Sequence, residues 1–252
     1  MWFKNSKKYS GRKIDSYTID SLIGEGRYGV CFLASLDIGQ KVIIKKFRST
    51  FFNRNSNSKK SMYEAVILSK LKDHRIPELL GVINQKDFYG FVLEYKHGRT
   101  VKELLFKHKY QFSSEEYFNI GIQLIKIIKY LHENGIVHRD IRIPNILINN
   151  GEVYLIDFGL ARFADNSRYL YDLDFSYLGD FLLYLLYSSY PEQKKLPWYK
   201  ELPWYKELPW YKELLLTFEQ ELFLKKLLGL ELGYENINDI EKDFINAFTI
   251  YK

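Results

Sequence analysis

His138-Arg139-Asp140-Ile141-Arg142-Ile143-Pro144-Asn145, then Ile146-Leu147-Ile148, Asn149-Asn150-Gly151 and Val153-Tyr154-Leu155-Ile156-Asp157-Phe158-Gly159: this run decides how the chain reads. Asp140 and Asn145 share one loop, and Asp157 follows a short apolar strand further on. Apolar runs on either side of Asn-Gly predict a β-hairpin, which returns the three polar groups to one place. An acceptor for a hydroxyl proton beside two oxygen ligands for Mg²⁺ is what phosphoryl transfer needs.

The rest of the composition narrows the setting. The 252 residues suffice for one large domain or two lobes with a sizeable core. With 21 Tyr, 18 Phe and 27% charged residues, a soluble globular chain is expected. Cys31 is the only cysteine, which excludes a disulfide framework or a Cys-based zinc site and fits a reducing, cytoplasmic compartment. Lys4, Lys7 and Lys8 lead into no apolar core, so no signal peptide is expected. The longest apolar run, Phe181 to Tyr187, is too short for a transmembrane segment. Residues 1–60 hold 13 Lys/Arg against 4 Asp/Glu, in a chain of net charge +6. That basic front reads as a solvated arm and a loop around Arg54 to Lys60. It lacks the aromatic interleaving of a single-strand binder, so no nucleic-acid partner is expected.

Working outward from the deciding run, residues 1–16 read as a basic tail. Tyr17 to Ile23 alternates like a strand and enters Gly24-Glu25-Gly26-Arg27-Tyr28-Gly29. Strands Val30 to Ser35 and Lys41 to Phe47 follow. Strand, glycine loop, strand disfavours a dinucleotide fold, whose glycine loop opens a helix, and the Gly-Lys-Ser/Thr ending of a P-loop is missing. The glycines would let a hairpin lie close over phosphates, although the same spacing also suits an ordinary turn. Lys45 ends the run Val42-Ile43-Ile44, and Lys46 points to the opposite face by strand alternation. A helix from Ser61 to Leu71 carries Glu64 among apolar neighbours, in reach of pairing with Lys45. Leu79 to Ile83 and Phe88 to Glu94 read as strands, and Glu94 to Gly98 as a connector. Helices are expected over Val101–Lys107 and Ser114–Glu133, the second capped by Ser113 or Ser114 and stopped near Gly135. Two amphipathic helices, 214–230 and 236–249, close the chain. His74, His97, His108 and His132 show no metal-ligand spacing and read as surface or packing residues.

These motifs, in this order, resemble a eukaryotic-type (Hanks-type) Ser/Thr protein kinase domain, from about Tyr17 to Leu185. Gly24, Gly26 and Gly29 match the glycine loop, Lys45 the lysine of strand three, and Glu64 its helix partner. Asp140 and Asn145 match H-R-D-x-x-x-x-N, and Asp157-Phe158-Gly159 matches D-F-G. The resemblance, to a small bacterial-type member, implies an α+β, bilobal kinase-like fold. An antiparallel β-sheet N-lobe with one helix would span 17–95, and a mainly helical C-lobe 96–252. It implies transfer of the γ-phosphate of ATP, with Mg²⁺, to a Ser/Thr hydroxyl on a protein substrate. Asp140 would accept or orient the hydroxyl proton, Arg142 would keep positive charge near the γ-phosphate, and Lys45, held by Glu64, would neutralise the α- and β-phosphates. Asn145 and Asp157 would hold the metal. Gly24, Glu25, Gly26, Gly29, Cys31, Ile43, Glu94, Tyr95 and Leu147 would surround the nucleotide, Glu94 and Tyr95 by main-chain groups. Asp174 would brace the catalytic-loop backbone.

The departures keep two other readings open, a kinase-like small-molecule phosphotransferase and a pseudokinase scaffold. Ile43 stands where the family usually has alanine and adds three carbons over the adenine. Leu160 to Leu173 is short for an activation segment, no Ala-Pro-Glu ends it, and the arginine that would pair with that glutamate is also missing. Arg142 replaces the usual lysine of Ser/Thr kinases, which leaves the acceptor type open. Leu-Pro-Trp-Tyr-Lys-Glu occurs three times from Leu196 to Glu213, and its prolines suit a linker between helices. Substrate identity and oligomeric state are not set by the sequence.

Overall fold

The computed structural model describes residues 9–25, 29–47, 57–85, 88–165, 167–189 and 214–249, with backbone alone for 57–62. Gly26 and the hexapeptide repeats, 196–213, lie outside the described residues. The chain divides into two compact units, Met1–Lys96 and His97–Lys252.

The first unit is a six-stranded antiparallel sheet. Its strands are β1 (Lys13–Ile14), β2 (Tyr17–Glu25), β3 (Gly29–Leu36), β4 (Lys41–Phe47), β5 (Leu79–Gln85) and β6 (Phe88–Glu94), in the order β1-β2-β3-β4-β6-β5. Period-two alternation puts Val42 and Ile44 of β4 in a core with Ile19, Phe32, Ala34, Ile83, Phe88 and Val92. Ile43 and Lys45 share the opposite, half-buried face. The stretch read as a tail contributes to this sheet. Lys13–Ile14 pairs with β2, and Ile14 is 2% exposed. One isoleucine among basic residues shows no periodicity, so only burial reveals the strand. Helix α1 (Asn57–Leu68) starts four residues before the expected Ser61, over a polar run without an apolar stripe. It also stops short of Leu71, which is buried all the same.

The second unit starts with β7 (Arg99–Thr100), α2 (Val101–Phe106), α3 (Ser114–Glu133) and β8 (Ile136–Val137). It continues with β9 (Ile146–Asn149), β10 (Glu152–Leu155), β11 (Arg162–Phe163), α4 (Asp172–Ser188), α5 (Phe218–Leu227) and α6 (Ile237–Phe248). A capping box opens α3: Ser113 Oγ accepts from Glu116 N, and Glu116 Oε2 accepts from Ser113 N. Ile120, Leu124, Ile127, Ile128 and Leu131 recur at helical spacing and are all buried. Phe244 of α6 meets this helix, stacking on Phe118 and lying 6.1 Å from Tyr117, centroid to centroid. β9 and β10 pair in register from Ile146↔Leu155 to Asn149↔Glu152. Their turn has φ of 51° at Asn150 and 81° at Gly151, the two left-handed residues of a type I′ hairpin. Among the described residues no helix is long and apolar enough to cross a membrane.

Candidate active site

The sequence-predicted residues fall into one group in each unit. In the first, Gly24, Cys31 and Lys45 are consecutive cross-strand neighbours on β2, β3 and β4. Lys45 Nζ lies 2.5 Å from Glu64 Oε1, with the two side chains 20% and 8% exposed. A charge-assisted bond this sheltered is worth about 1.5–3 kcal/mol. Lys46 points to the other face, its Nζ 4.9 Å from the Phe88 ring centroid and 5.3 Å from that of Tyr9. Glu25 is exposed, while Cys31, Ile43 and Tyr95 are half-buried. The Glu94 N–H already donates to the Glu78 carbonyl at 2.9 Å, so that donor is committed within the sheet.

Two glycines of the loop differ in what they meet. A Cβ on Gly24 would meet nothing within 4 Å, leaving open space above the strand. A Cβ on Gly29 would come within 2.2 Å of the Lys46 carbonyl oxygen, so close strand approach alone requires glycine there. Gly29→Ala is therefore expected to destabilise the chain by about 1–3 kcal/mol, as overpacking does. Thermal denaturation measures this, and an unchanged Tm would show that β3 and β4 separate freely.

In the second unit Asp140, Arg142 and Asn145 form one cluster. Arg142 Nε lies 2.5 Å from Asp140 Oδ1, and the carboxylate holds that guanidinium still more firmly charged. Asn145 Nδ2 donates to Asp140 Oδ2 at 2.7 Å and to the Asp140 carbonyl at 2.9 Å. Both donors of that amide are thus used, and its Oδ1 has no protein partner among the described residues. The Asn145 carbonyl accepts from Ile156 N at 2.8 Å, which ties the loop to the residue before Asp157. Asp157 is exposed, with φ of 64°. Leu147 is buried on β9, opposite Thr100 and Tyr154.

The loop is held from beneath by α4. Asp174 is fully buried and accepts from His138 N at 2.9 Å and Arg139 N at 2.7 Å. His132 Nε2 lies 3.0 Å from its Oδ2 and, facing an acceptor-only carboxylate, carries the proton. Of the two readings, surface or packing, His132 takes the second: its side chain is 7% exposed and sits between Tyr171 and Phe175. Its spacing on α3, four residues after Ile128 and seven after Ile125, puts it on the buried face, but its partner on α4 is not visible from the sequence. His138 Nδ1 accepts from Asp140 N at 3.3 Å, and its ring meets Phe158 edge-on. Burial lowers the His138 pKa, opposed by the charges of Asp174, Asp140 and Asp157.

The short segment after Gly159 is held by its own turn and by the residues on either side of His138. Arg162–Phe163 pairs with Ile136–Val137, and Asp165 Oδ1 accepts from the N–H groups of Ser167, Arg168 and Tyr169. Those donors hold the Asp165 pKa down at about 2. Arg139 Nη1 donates to the Leu160 carbonyl, and its guanidinium lies 4.8 Å from the Tyr169 ring centroid.

The sequence reading missed Asp180, the acid that immediately precedes the apolar run of α4. Burial raises its carboxyl to about 7. An acid raised in the folded state keeps its proton there while the unfolded chain has lost its own, so stability falls as pH rises from about 4 to about 7. The full shift corresponds to about 4 kcal/mol, and allowing for partial exposure Asp180→Asn is expected to gain about 2 kcal/mol at pH 8. The gain should vanish by pH 3. Denaturant titrations of both chains at the two pH values check the sign.

The family described as "Protein kinase domain" matches residues 17–178, and the chain belongs to that family. It is a serine/threonine protein kinase of the Hanks type, with the fold that its sequence implied. It is 34% identical over 239 residues to "Probable serine/threonine-protein kinase YbdM" of Bacillus subtilis, covering 92% of this chain and 89% of that protein. It is also 34% identical over 157 residues to "Serine/threonine-protein kinase PrkC" of the same organism, covering 62% of this chain and 24% of that one. Human "Mitogen-activated protein kinase 13" is 32% identical over 156 residues, covering 60% of this chain and 42% of that protein. The family generally uses ATP and Mg²⁺.

Proposed function

We propose that this chain transfers the γ-phosphoryl group of Mg-ATP to a Ser or Thr hydroxyl of a protein, with Asp140 meeting that hydroxyl. The observation that carries this is the cluster around Asp140, whose carboxylate is aimed by Arg142 and Asn145 while Asp174 fixes the backbone beneath it. The donor set suits the cofactors. The unpartnered, hard Oδ1 of Asn145 and the exposed carboxylate of Asp157 are ligands of the kind Mg²⁺ takes. The open space over Gly24 and the sheltered ammonium of Lys45 suit phosphates, with Glu25, Gly26, Gly29, Cys31, Ile43, Glu94, Tyr95 and Leu147 as further nucleotide contacts. Mg-ATP supplies the phosphoryl group and much of the charge neutralisation. Glu64, paired with Lys45, would hold that ammonium for the phosphates, and Arg142 would add positive charge beside the acceptor. Since the protein has little covalent chemistry to perform, positioning and fixed charge supply the rate. The single, half-buried Cys31 accords with work in a reducing, cytoplasmic setting.

Transfer from labelled Mg-ATP to a generic protein tests the reading in Lys45→Met and Lys46→Met. Losing a preorganised charge on the transferring group should lower kcat/KM by about a hundredfold or more in the first. The second, which gives up a cation–π contact, should stay within about fivefold. The reverse ranking would assign the phosphates to Lys46. Nucleotide at a hundred times its Kd should also add about 2.7 kcal/mol of stability, and no shift at all would remove ATP from the reading.

A further inference from the structure

A cavity of about 290 Å³ lies in the second unit, bounded by the start of α3, the end of α4, the start of α5 and the end of α6. Its size, at the lower end of small-molecule clefts, suits one large side chain. Phe112, Tyr117, Leu186, Leu216 and Phe248 give it an apolar lining. The Tyr117 ring lies 4.9 Å from that of Phe248, centroid to centroid. Tyr117 is 4% exposed, and its hydroxyl has no hydrogen-bond partner among the described residues. A buried hydroxyl left in that state is costly, and an incoming polar group would relieve it.

The course of the chain narrows the occupant. Ser189 and Leu215 both line the cavity, and between them residues 190–213 fall outside the described residues. The described chain therefore stops and resumes at the rim of one cavity. The intervening stretch carries the three Leu-Pro-Trp-Tyr-Lys-Glu copies and three of the four tryptophans, Trp198, Trp204 and Trp210. Leu214, where the description resumes, is buried, whereas Leu215 beside it is fully exposed. Trp210 stands four positions before Leu214, a tether that reaches up to about 14 Å when extended. Closing that short loop costs less entropy than closing the longer ones that end at Trp204 or Trp198. An indole also matches the cavity chemically. It is a large apolar group with one N–H donor, and a tyrosine hydroxyl offers lone pairs to such a donor.

We propose that this cavity is the docking site for the hexapeptide segment of the same chain. The Trp210 indole inserts among Phe112, Leu186 and Phe248, and its Nε1–H donates to the Tyr117 hydroxyl. The stretch that its prolines mark as a linker thereby also anchors the ends of α3, α4 and α6. The inference stands apart from the phosphoryl-transfer reading and uses none of its residues.

Full-length chains that keep a single tryptophan, Trp210 or Trp198, with the other three replaced by serine, test it. Trp210 should emit to the blue of free tryptophan, and acrylamide should quench it several-fold less than it quenches Trp198. Leu186→Phe and Ser114→Phe each add a ring to the cavity, the first from α4 and the second from an exposed position on its rim. Either change, made in the Trp210 chain, should raise its quenching to that of Trp198. Equal quenching of Trp210 and Trp198 in the parent chains, or shielding kept in both filled variants, overturns the proposal. Tyr117→Phe gives a second readout. In the wild type it should lower Tm by about 2–4 °C, because a used hydrogen bond is lost. In a chain whose three repeat tryptophans are serine it removes only an unsatisfied hydroxyl, and Tm should hold or rise. The same Tm change in both backgrounds would also overturn the proposal. Shielding that develops only as the chain is concentrated, with a dimer seen by light scattering, would seat the segment in a second copy and overturn the intramolecular assignment.

Discussion

Asp140→Asn should lower kcat for phosphate transfer by about a thousandfold, about 4 kcal/mol of barrier, while leaving the chain folded. The amide keeps the shape of the carboxylate and one acceptor oxygen, so the Asn145 Nδ2 contact at 2.7 Å survives. It cannot take up a proton at neutral pH, and it removes the negative charge that would orient the acceptor hydroxyl. The contact with Arg142 is lost, but that side chain is 45% exposed and can turn to solvent, at about 1 kcal/mol or less. The expected signature is a fall in kcat with little change in the KM for ATP and a Tm within a few degrees of the wild type. A rate kept within tenfold would remove Asp140 from the mechanism.

The second large effect belongs to a residue that touches no substrate. Asp174→Ala should cost about 3–5 kcal/mol of stability, because it strands the buried His138 N–H, the half-buried Arg139 N–H and the His132 ring at once. Arg139 is held at φ of 67°, a left-handed conformation that costs about 1–3 kcal/mol in a residue other than glycine. The Asp174 bond to Arg139 N helps keep it there, and Asp140 is the next residue along. Asp174→Asn should be nearly as harmful, since its amide NH₂ would face a donor. Urea denaturation reads the loss directly. A cost below about 1 kcal/mol would mean that the loop is self-supporting and that Asp174 is dispensable.

Most elements were legible because their residues carry local signals. Period-two alternation located β2, short apolar runs located β3, β4 and β6, the Asn150-Gly151 pair located the hairpin, and Ser113 and Gly135 marked the ends of α3. The misses have equally local causes. Lys13–Ile14 is too short for a period, and the start of α1 has no apolar stripe. Alternation put Lys45 and Lys46 on opposite faces, since adjacent strand residues face opposite sides, but the choice of Lys45 came from the family resemblance and not from the pattern. That His132 serves Asp174 was not legible, because the two residues are far apart in sequence and meet only once α3 and α4 pack.

By itself, then, the sequence determined which groups are available for chemistry, their order, and the strands and helices that carry them. Catalytic residue types, turn chemistry and periodicity are all written in neighbouring positions. The tertiary structure alone decided which polar groups are satisfied. It buried Asp174 beneath three donors, placed Gly29 against the Lys46 carbonyl, left Asn145 Oδ1 without a protein partner, and raised the Asp180 carboxyl by burial. The reason is physical. Desolvation and hydrogen-bond satisfaction depend on what surrounds a group in space, and residues distant in the chain supply those surroundings.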